Sequence, residues 1–198
     1  MHGIARLVVI AITLSATACI PITKTFLSEP GAQPNDKRIA GTWYWHKRDG
    51  SETVVIAIQR AEGKRLSIVW TKLNPSRATE TNEAPARWMH FLGHTTRLGR
   101  ARFVNLQFVR SDASRAGKVR FIVRYWLTKK GLAFAVMNEE MIEKAVRTGE
   151  LTGHKERSSW VITSDRKTLI AFLRRHGAKA FNKPGQPLRR MRRTGNRG

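Results

Sequence analysis

The sequence is poor in cysteine, in acidic residues and in long apolar runs. Cys19 is the only cysteine among 198 residues, which excludes an internal disulfide and any site built on a cysteine pair. The 14 acidic residues are outnumbered by 37 Lys and Arg, and the formal net charge is +23. The N-terminal apolar run, Leu7 to Leu14, falls far short of the roughly 20 residues of a membrane-spanning helix.

Catalytic and metal-binding motifs are also lacking. There is no Gly-rich phosphate loop, no GxSxG and no HExxH. His90 and His94 are four residues apart, which on a strand separates them by about 13 Å, too far to share a metal ion. The acids Asp49, Glu62, Glu139 and Glu140 fall in predicted turns or first helical turns. We therefore expect no metal, no cofactor and no enzymatic activity.

The N-terminus has the pattern of an export signal. Arg6 precedes the apolar run, and small residues follow it up to Cys19, which is typical of a secretory signal peptide over residues 1–18. Residues 20–37 contain three prolines and little periodicity. We expect residues 19–37 to be a tether that holds the fold away from the membrane.

Ala16-Thr17-Ala18-Cys19 resembles a bacterial lipobox. The resemblance implies that Cys19 is lipidated, becomes the first mature residue and anchors the protein in a membrane. By the same resemblance, Ile20 rather than Asp after the cysteine would permit passage to an outer membrane, and we expect the protein there, facing the periplasm. The alternative is a plain signal peptide cut near Ala18, which would leave a free thiol.

Residues 38–181 show mostly the pattern of short antiparallel strands. Apolar residues alternate along each segment, and turns such as Asp49-Gly50 separate the segments. The eight predicted strands cover residues 39–47, 53–60, 65–73, 88–96, 102–110, 118–128, 132–137 and 157–163.

Two short helices are predicted near the end of this region. Asn138 caps the first and Gly149 ends it, while Ser164 caps the second and Gly177 ends it. The predicted fold is therefore mostly β. It is a single antiparallel up-and-down β-barrel or strongly curved sheet of about eight strands, with two short helices near the C-terminus.

The C-terminal residues 182–198 carry many arginines and no acid, without apolar periodicity. Such a composition predicts a disordered basic tail. Its candidate partner-docking residues are Arg189, Arg190, Arg192 and Arg193.

All six tryptophans fall on predicted strands, together with several Phe and Tyr residues. Aromatic side chains inside an antiparallel barrel either fill it or line a cavity for an apolar ligand. The candidate pocket residues are Trp45, Trp70, Phe108, Tyr125 and Phe134.

Gly41-Thr42-Trp43 resembles the G-x-W motif of lipocalins. In that family the glycine opens the first barrel strand and the tryptophan packs across the closed end of the barrel, so the resemblance implies structural roles for Gly41 and Trp43. The predicted strands and the lipobox are similar to those of bacterial outer-membrane lipocalins. Residues 124–181 resemble an uncharacterised group of bacterial lipoproteins.

These observations predict a lipid-anchored protein of the cell envelope. The leading hypothesis is a non-catalytic binding module for an apolar or amphipathic envelope molecule, with aromatics in the barrel mouth and Lys or Arg attracting an acidic head. An exported chain is not expected to meet nucleic acid, despite its charge. The alternative is a structural or assembly lipoprotein with a closed barrel and a basic tail that docks on an acidic partner.

Overall fold

A computed structural model describes residues 20–73, 86–111 and 119–191 of the chain. These residues form eleven strands and two α-helices. The strands are β1 (Ile22–Thr23), β2 (Gly41–His46), β3 (Thr53–Ala61), β4 (Arg65–Leu73), β5 (Ala86–Leu98), β6 (Ala101–Ser111), β7 (Arg120–Thr128), β8 (Gly131–Val136), β9 (Gly153–Glu156), β10 (Ser159–Ile162) and β11 (Arg189–Arg190), and the helices are α1 (Glu139–Arg147) and α2 (Arg166–His176).

Eight strands form one antiparallel sheet in the order β11-β2-β3-β4-β5-β6-β7-β8. The connections between β2 and β8 are all between neighbours, as in an up-and-down barrel, and the sheet curves until its two edges nearly meet. The predicted mostly β, barrel-like fold with two short C-terminal helices is confirmed. Predicted and observed strand bounds agree within about two residues from β2 to β8.

Residues 181–191, here called the closing segment, join the two edges of the sheet. Along β8, the Asn182 and Gly185 amides donate to the carbonyl oxygens of Val136 and Phe134, at 3.0 and 3.2 Å. Leu188 and Leu132 exchange two backbone hydrogen bonds of 2.8 and 3.0 Å. β11 then pairs with β2. This segment therefore links the two edges of a nearly closed barrel.

The closing segment corrects two expectations. Residues 182–191 are packed on the sheet rather than disordered, and Leu188 is buried. The eighth strand of the barrel is β11, whereas the predicted strand 157–163 becomes β10 of a separate three-stranded sheet, β1-β10-β9. Arg192 and Arg193 lie outside the described residues.

Residues 20–39, here called the N-terminal strap, run along the outer face of the sheet and end at Ile39, which enters the inner core. β1 pairs in parallel with β10, and the Leu27 amide donates to Asn105 Oδ1 at 2.8 Å. Ser28 Oγ and Thr96 Oγ1 are 2.6 Å apart, and both residues are buried. The strap is therefore part of the fold, in contrast to the tether expected from its prolines.

Two hydrophobic cores lie on the two faces of β6, β7 and β8. The inner core fills the barrel with residues such as Trp43, Ile58 and Leu132. The outer core packs Phe103 and Ile122 against the helices and the small sheet. Alternation along each strand divides the apolar side chains between these cores.

The observed helix caps are the ones predicted from the sequence, except at the start of α2. Asn138 Oδ1 accepts from the Met141 amide at 2.9 Å, and Gly177 ends α2 with a φ of +56°. Asp165 rather than Ser164 caps α2, because Ser164 is buried and its Oγ accepts from the Thr152 amide at 2.7 Å. In the described part of the chain, no helix has the length and apolarity needed to cross a membrane.

Candidate functional site

The barrel interior is sealed at the end where β2 begins, here called the closed end. A single 3-10 turn at Lys37–Ile39 lies there, and Ile39 is fully buried. Trp43 is only 4% exposed, and its Nε1 donates to the Ile39 carbonyl oxygen at 2.8 Å. Gly41 begins β2 with a φ of +135°, a conformation that favours glycine. Gly41 therefore opens the first strand of the barrel, and Trp43 packs at its closed end.

Asp36 joins the side chains of Arg38 and Tyr125 at the closed end. Its carboxylate accepts hydrogen bonds from the Arg38 guanidinium, at 2.7 and 2.8 Å, and from Tyr125 Oη at 3.0 Å. These bonds, that from the Arg38 side chain above all, lower the pKa of Asp36 to about 2. Burial raises the pKa of Tyr125, and the Asp36 charge raises it further. Tyr125 is therefore a buried structural residue of the closed end and does not line an open pocket.

We expect Asp36→Asn to lower the free energy of unfolding by about 2 kcal/mol at pH 7, because the folded state holds the carboxylate pKa near 2 against an ordinary value of 3.8. Between these two values the unfolded chain binds more protons than the folded chain, so the wild-type advantage declines as the pH falls from about 5 to 2. Urea denaturation at several pH values measures the difference. Glu62→Gln, which removes an exposed carboxylate from the β3–β4 turn, should change stability little, and a pH-independent difference for Asp36→Asn would contradict the assignment.

The opposite end of the barrel, here called the open end, is lined by aromatic side chains that stay partly exposed. Trp45, Trp70, Phe108 and Phe134 all pack against the inner core without being buried by it. Trp45 Nε1 donates to Gln186 of the closing segment. The structure thus leaves four of the five predicted pocket residues partly exposed against the inner core.

Aromatic contacts extend from the open end into the core. The Phe91 and Phe108 rings meet edge to face with centroids 5.7 Å apart, and Phe121 approaches Phe91 at 6.2 Å. Phe91 is buried, whereas Phe108 and Phe121 are partly exposed. The interior surface therefore changes gradually from a packed core to exposed rings toward the open end.

The open end also contains an ion pair that was not predicted from the sequence. Lys72 Nζ lies 2.9 Å from Glu52 Oε2, and each side chain is only 14% exposed. Lys72 continues the inward alternation of Leu66, Ile68 and Trp70 along β4, and this alternation is the signal that could have identified it. The partner Glu52 precedes β3, where no such periodicity applies.

The histidines of β5 make separate contacts. His90 Nε2 is 2.9 Å from Ser67 Oγ, and His94 Nε2 is 2.8 Å from the Ser28 carbonyl oxygen. Burial lowers the pKa of both imidazoles. Among residues 20–73, 86–111 and 119–191, no three His, Cys, Asp or Glu side chains are placed to hold a metal ion.

The two arginines of β11 contact β2 and the closed end of the barrel. Arg189 and Arg190 pair with Tyr44 and Trp43, and the Arg190 guanidinium lies 5.6 Å from the Trp43 ring centroid. Arg190 Nη2 also donates to the Ala40 carbonyl oxygen at 2.9 Å. The predicted lipidation site Cys19 lies outside the described residues.

Comparison of the chain with protein-family models, curated proteins and solved structures finds no match. The fold and its inner surface define the class: an antiparallel, nearly closed eight-stranded barrel with one sealed end and one aromatic end.

Proposed function

We propose that the protein is a lipid-anchored envelope protein that binds an apolar or amphipathic molecule at the open end of its barrel. The observation that carries this proposal is the asymmetry of the interior. Trp43 and Ile39 seal one end, while Trp45, Trp70 and Phe108 remain partly exposed toward the other. Exposed aromatic rings that converge on a core offer an acyl chain contact without loss of packing.

The ion pair at the open end supports an amphipathic ligand with an acidic head. Lys72 is largely buried and is held by Glu52, and an incoming anion can take the place of that carboxylate. A largely desolvated ammonium attracts an anion more strongly than a fully hydrated one. The net charge of +23 also favours encounter with acidic envelope molecules.

Lipidation of Cys19 would hold the barrel close to the membrane. Ile22, three residues after Cys19, is already paired with Val161 of β10. The packed strap leaves little free chain between the acyl groups and the fold. Lys and Arg near an anionic surface each add about 1 kcal/mol of attraction.

We expect the mature chain from Cys19, carrying Cys19→Ser, to bind a fatty acid or lysophospholipid and to change its Trp emission. Trp70→Ala should weaken binding about tenfold, because it removes an aromatic contact surface at the open end. Trp88→Ala is the matched control, since Trp88 lies on the outer face of β5 beneath Arg110. Native mass spectrometry of the same samples reports whether a lipid-sized mass is bound.

If the chain binds neither the fatty acid nor the lysophospholipid, the carrier proposal is overturned and the structural or assembly alternative is favoured. Equal losses for Trp70→Ala and Trp88→Ala would show that binding occurs elsewhere than in the barrel.

A further inference from the structure

A cleft rich in arginine lies between the N-terminal strap and the outer face of the barrel. Its volume is about 320 Å³, within the range of small-molecule sites. Arg120 lies on the outer face of β7, because its neighbour Phe121 packs into the inner core. The cleft is therefore separate from the open end of the barrel, and its charged lining residues are Lys24, Glu29, Arg65, Arg120 and Arg166.

Two guanidinium groups of the cleft are held in place by the strap backbone. Arg166 Nε donates to the Phe26 carbonyl oxygen at 3.0 Å, and Arg120 Nη1 donates to the Lys24 carbonyl oxygen. The Arg120 guanidinium also lies over the Phe26 ring, 4.8 Å from its centroid. These contacts fix the orientation of both arginines before any ligand arrives, which reduces the entropic cost of binding.

Arg120 keeps an unused donor. Its Nε is buried and makes no hydrogen bond within the described residues. A buried N–H without a partner is costly, and a bound oxyanion within reach would relieve that cost.

The charges of the cleft are unbalanced. Four cationic side chains line it against one carboxylate, that of Glu29, which pairs with Arg166. The Glu29 side chain is 67% exposed, and exposed ion pairs contribute at most about 1 kcal/mol. An external anion of higher charge can therefore displace Glu29 from Arg166.

We propose that this cleft binds the phosphate group of a phosphomonoester and that Glu29 occupies part of the site when it is empty. Guanidinium groups match the oxygen spacing of phosphate, and a dianion offsets the surplus positive charge better than a carboxylate. The volume leaves room for the group that carries the phosphate, next to Phe26 and Pro30. That carrier is either a soluble molecule or a lipid head group.

Titration calorimetry of the mature Cys19→Ser chain with glycerol 3-phosphate tests the site. Arg65→Gln, which leaves both strap contacts intact, should weaken binding about tenfold. Glu29→Gln should tighten it about threefold, because the internal competitor is lost. Arg100→Gln and Glu62→Gln make the same charge changes in exposed turns and should leave the affinity unchanged. Thermal melts of every variant establish that it is folded.

Sedimentation with phosphatidic acid vesicles distinguishes the two sources of phosphate. Vesicle binding that Arg65→Gln weakens more than Arg100→Gln assigns the site to a lipid head group, whereas binding of glycerol 3-phosphate alone assigns it to a soluble ester. Equal affinity for succinate, equal effects of Arg65→Gln and Arg100→Gln, or no effect of Glu29→Gln would each overturn the proposal. These results are independent of lipid binding inside the barrel.

Discussion

Ending the chain at Phe181 will unfold the barrel domain. The closing segment beyond this residue buries Leu188, which is 6% exposed, against the inner core and forms the backbone hydrogen bonds that join β8 to β2. Burial of the leucine contributes about 2 kcal/mol and each hydrogen bond about 1 kcal/mol. The sum is about 5 kcal/mol or more, which is comparable to the whole stability of many domains.

A chain that ends at Met191 is the matched control for this truncation. It lacks Arg192, Arg193 and the residues after them but keeps the closing segment, so it should melt at the temperature of the full chain. Circular dichroism melts and binding of a hydrophobic dye compare the two truncations. If the chain ending at Phe181 melts with the full chain, the closing segment does not stabilise the barrel.

The strands of the barrel could be predicted because one face of each strand meets an apolar core. On β4 the alternation of Leu66, Ile68 and Trp70 shows the strand and its inward face, and the observed bounds, Arg65–Leu73, equal the predicted ones. The order of neighbouring strands was expected from the short connections that join β2 to β3, β3 to β4, β5 to β6 and β7 to β8. Alternation therefore predicted the elements, and the short connections predicted most of their order in the sheet.

The strap and the closing segment could not be predicted because neither has a periodic apolar face. Leu27 is held by Asn105, which lies 78 residues away, and the short strand β11 pairs with β2 through backbone groups. Hydrogen bonds to distant residues leave no local pattern in sequence. In the structure the strap covers His94, Thr96 and Asn105, which are polar side chains buried on β5 and β6.

The five candidate pocket residues all face the inner core, but they differ in burial. Alternation places Tyr125 inward with Phe134, its direct partner across β7 and β8, yet Tyr125 is buried against Asp36 whereas Phe134 stays partly exposed. The burial of Tyr125 depends on Asp36, which lies 89 residues away and leaves no local pattern in the sequence. The aromatic residues of the candidate site therefore divide into a buried residue, Tyr125, and a partly exposed group.

Trp43→Ala should destabilise the protein by about 3 to 5 kcal/mol, the usual cost of removing a large buried aromatic side chain. Trp43 lies where three parts of the chain meet. Its Nε1 holds the Ile39 carbonyl oxygen, its ring packs in the inner core, and the Arg190 guanidinium of β11 lies over it. The substitution therefore leaves a cavity at the closed end and weakens the contacts of both the strap and the closing segment.

Urea denaturation of Trp43→Ala, Trp43→Phe and Trp88→Ala separates these effects. Trp43→Phe keeps an aromatic ring in the core and loses the indole hydrogen bond, so it should cost clearly less than Trp43→Ala. Trp88→Ala removes a partly exposed indole from the outer face and should cost least. Limited proteolysis should cut the closing segment faster in Trp43→Ala than in Trp88→Ala, because Trp43, unlike Trp88, contacts β11. Equal stability of the two alanine variants would mean that Trp43 does not hold the closed end together.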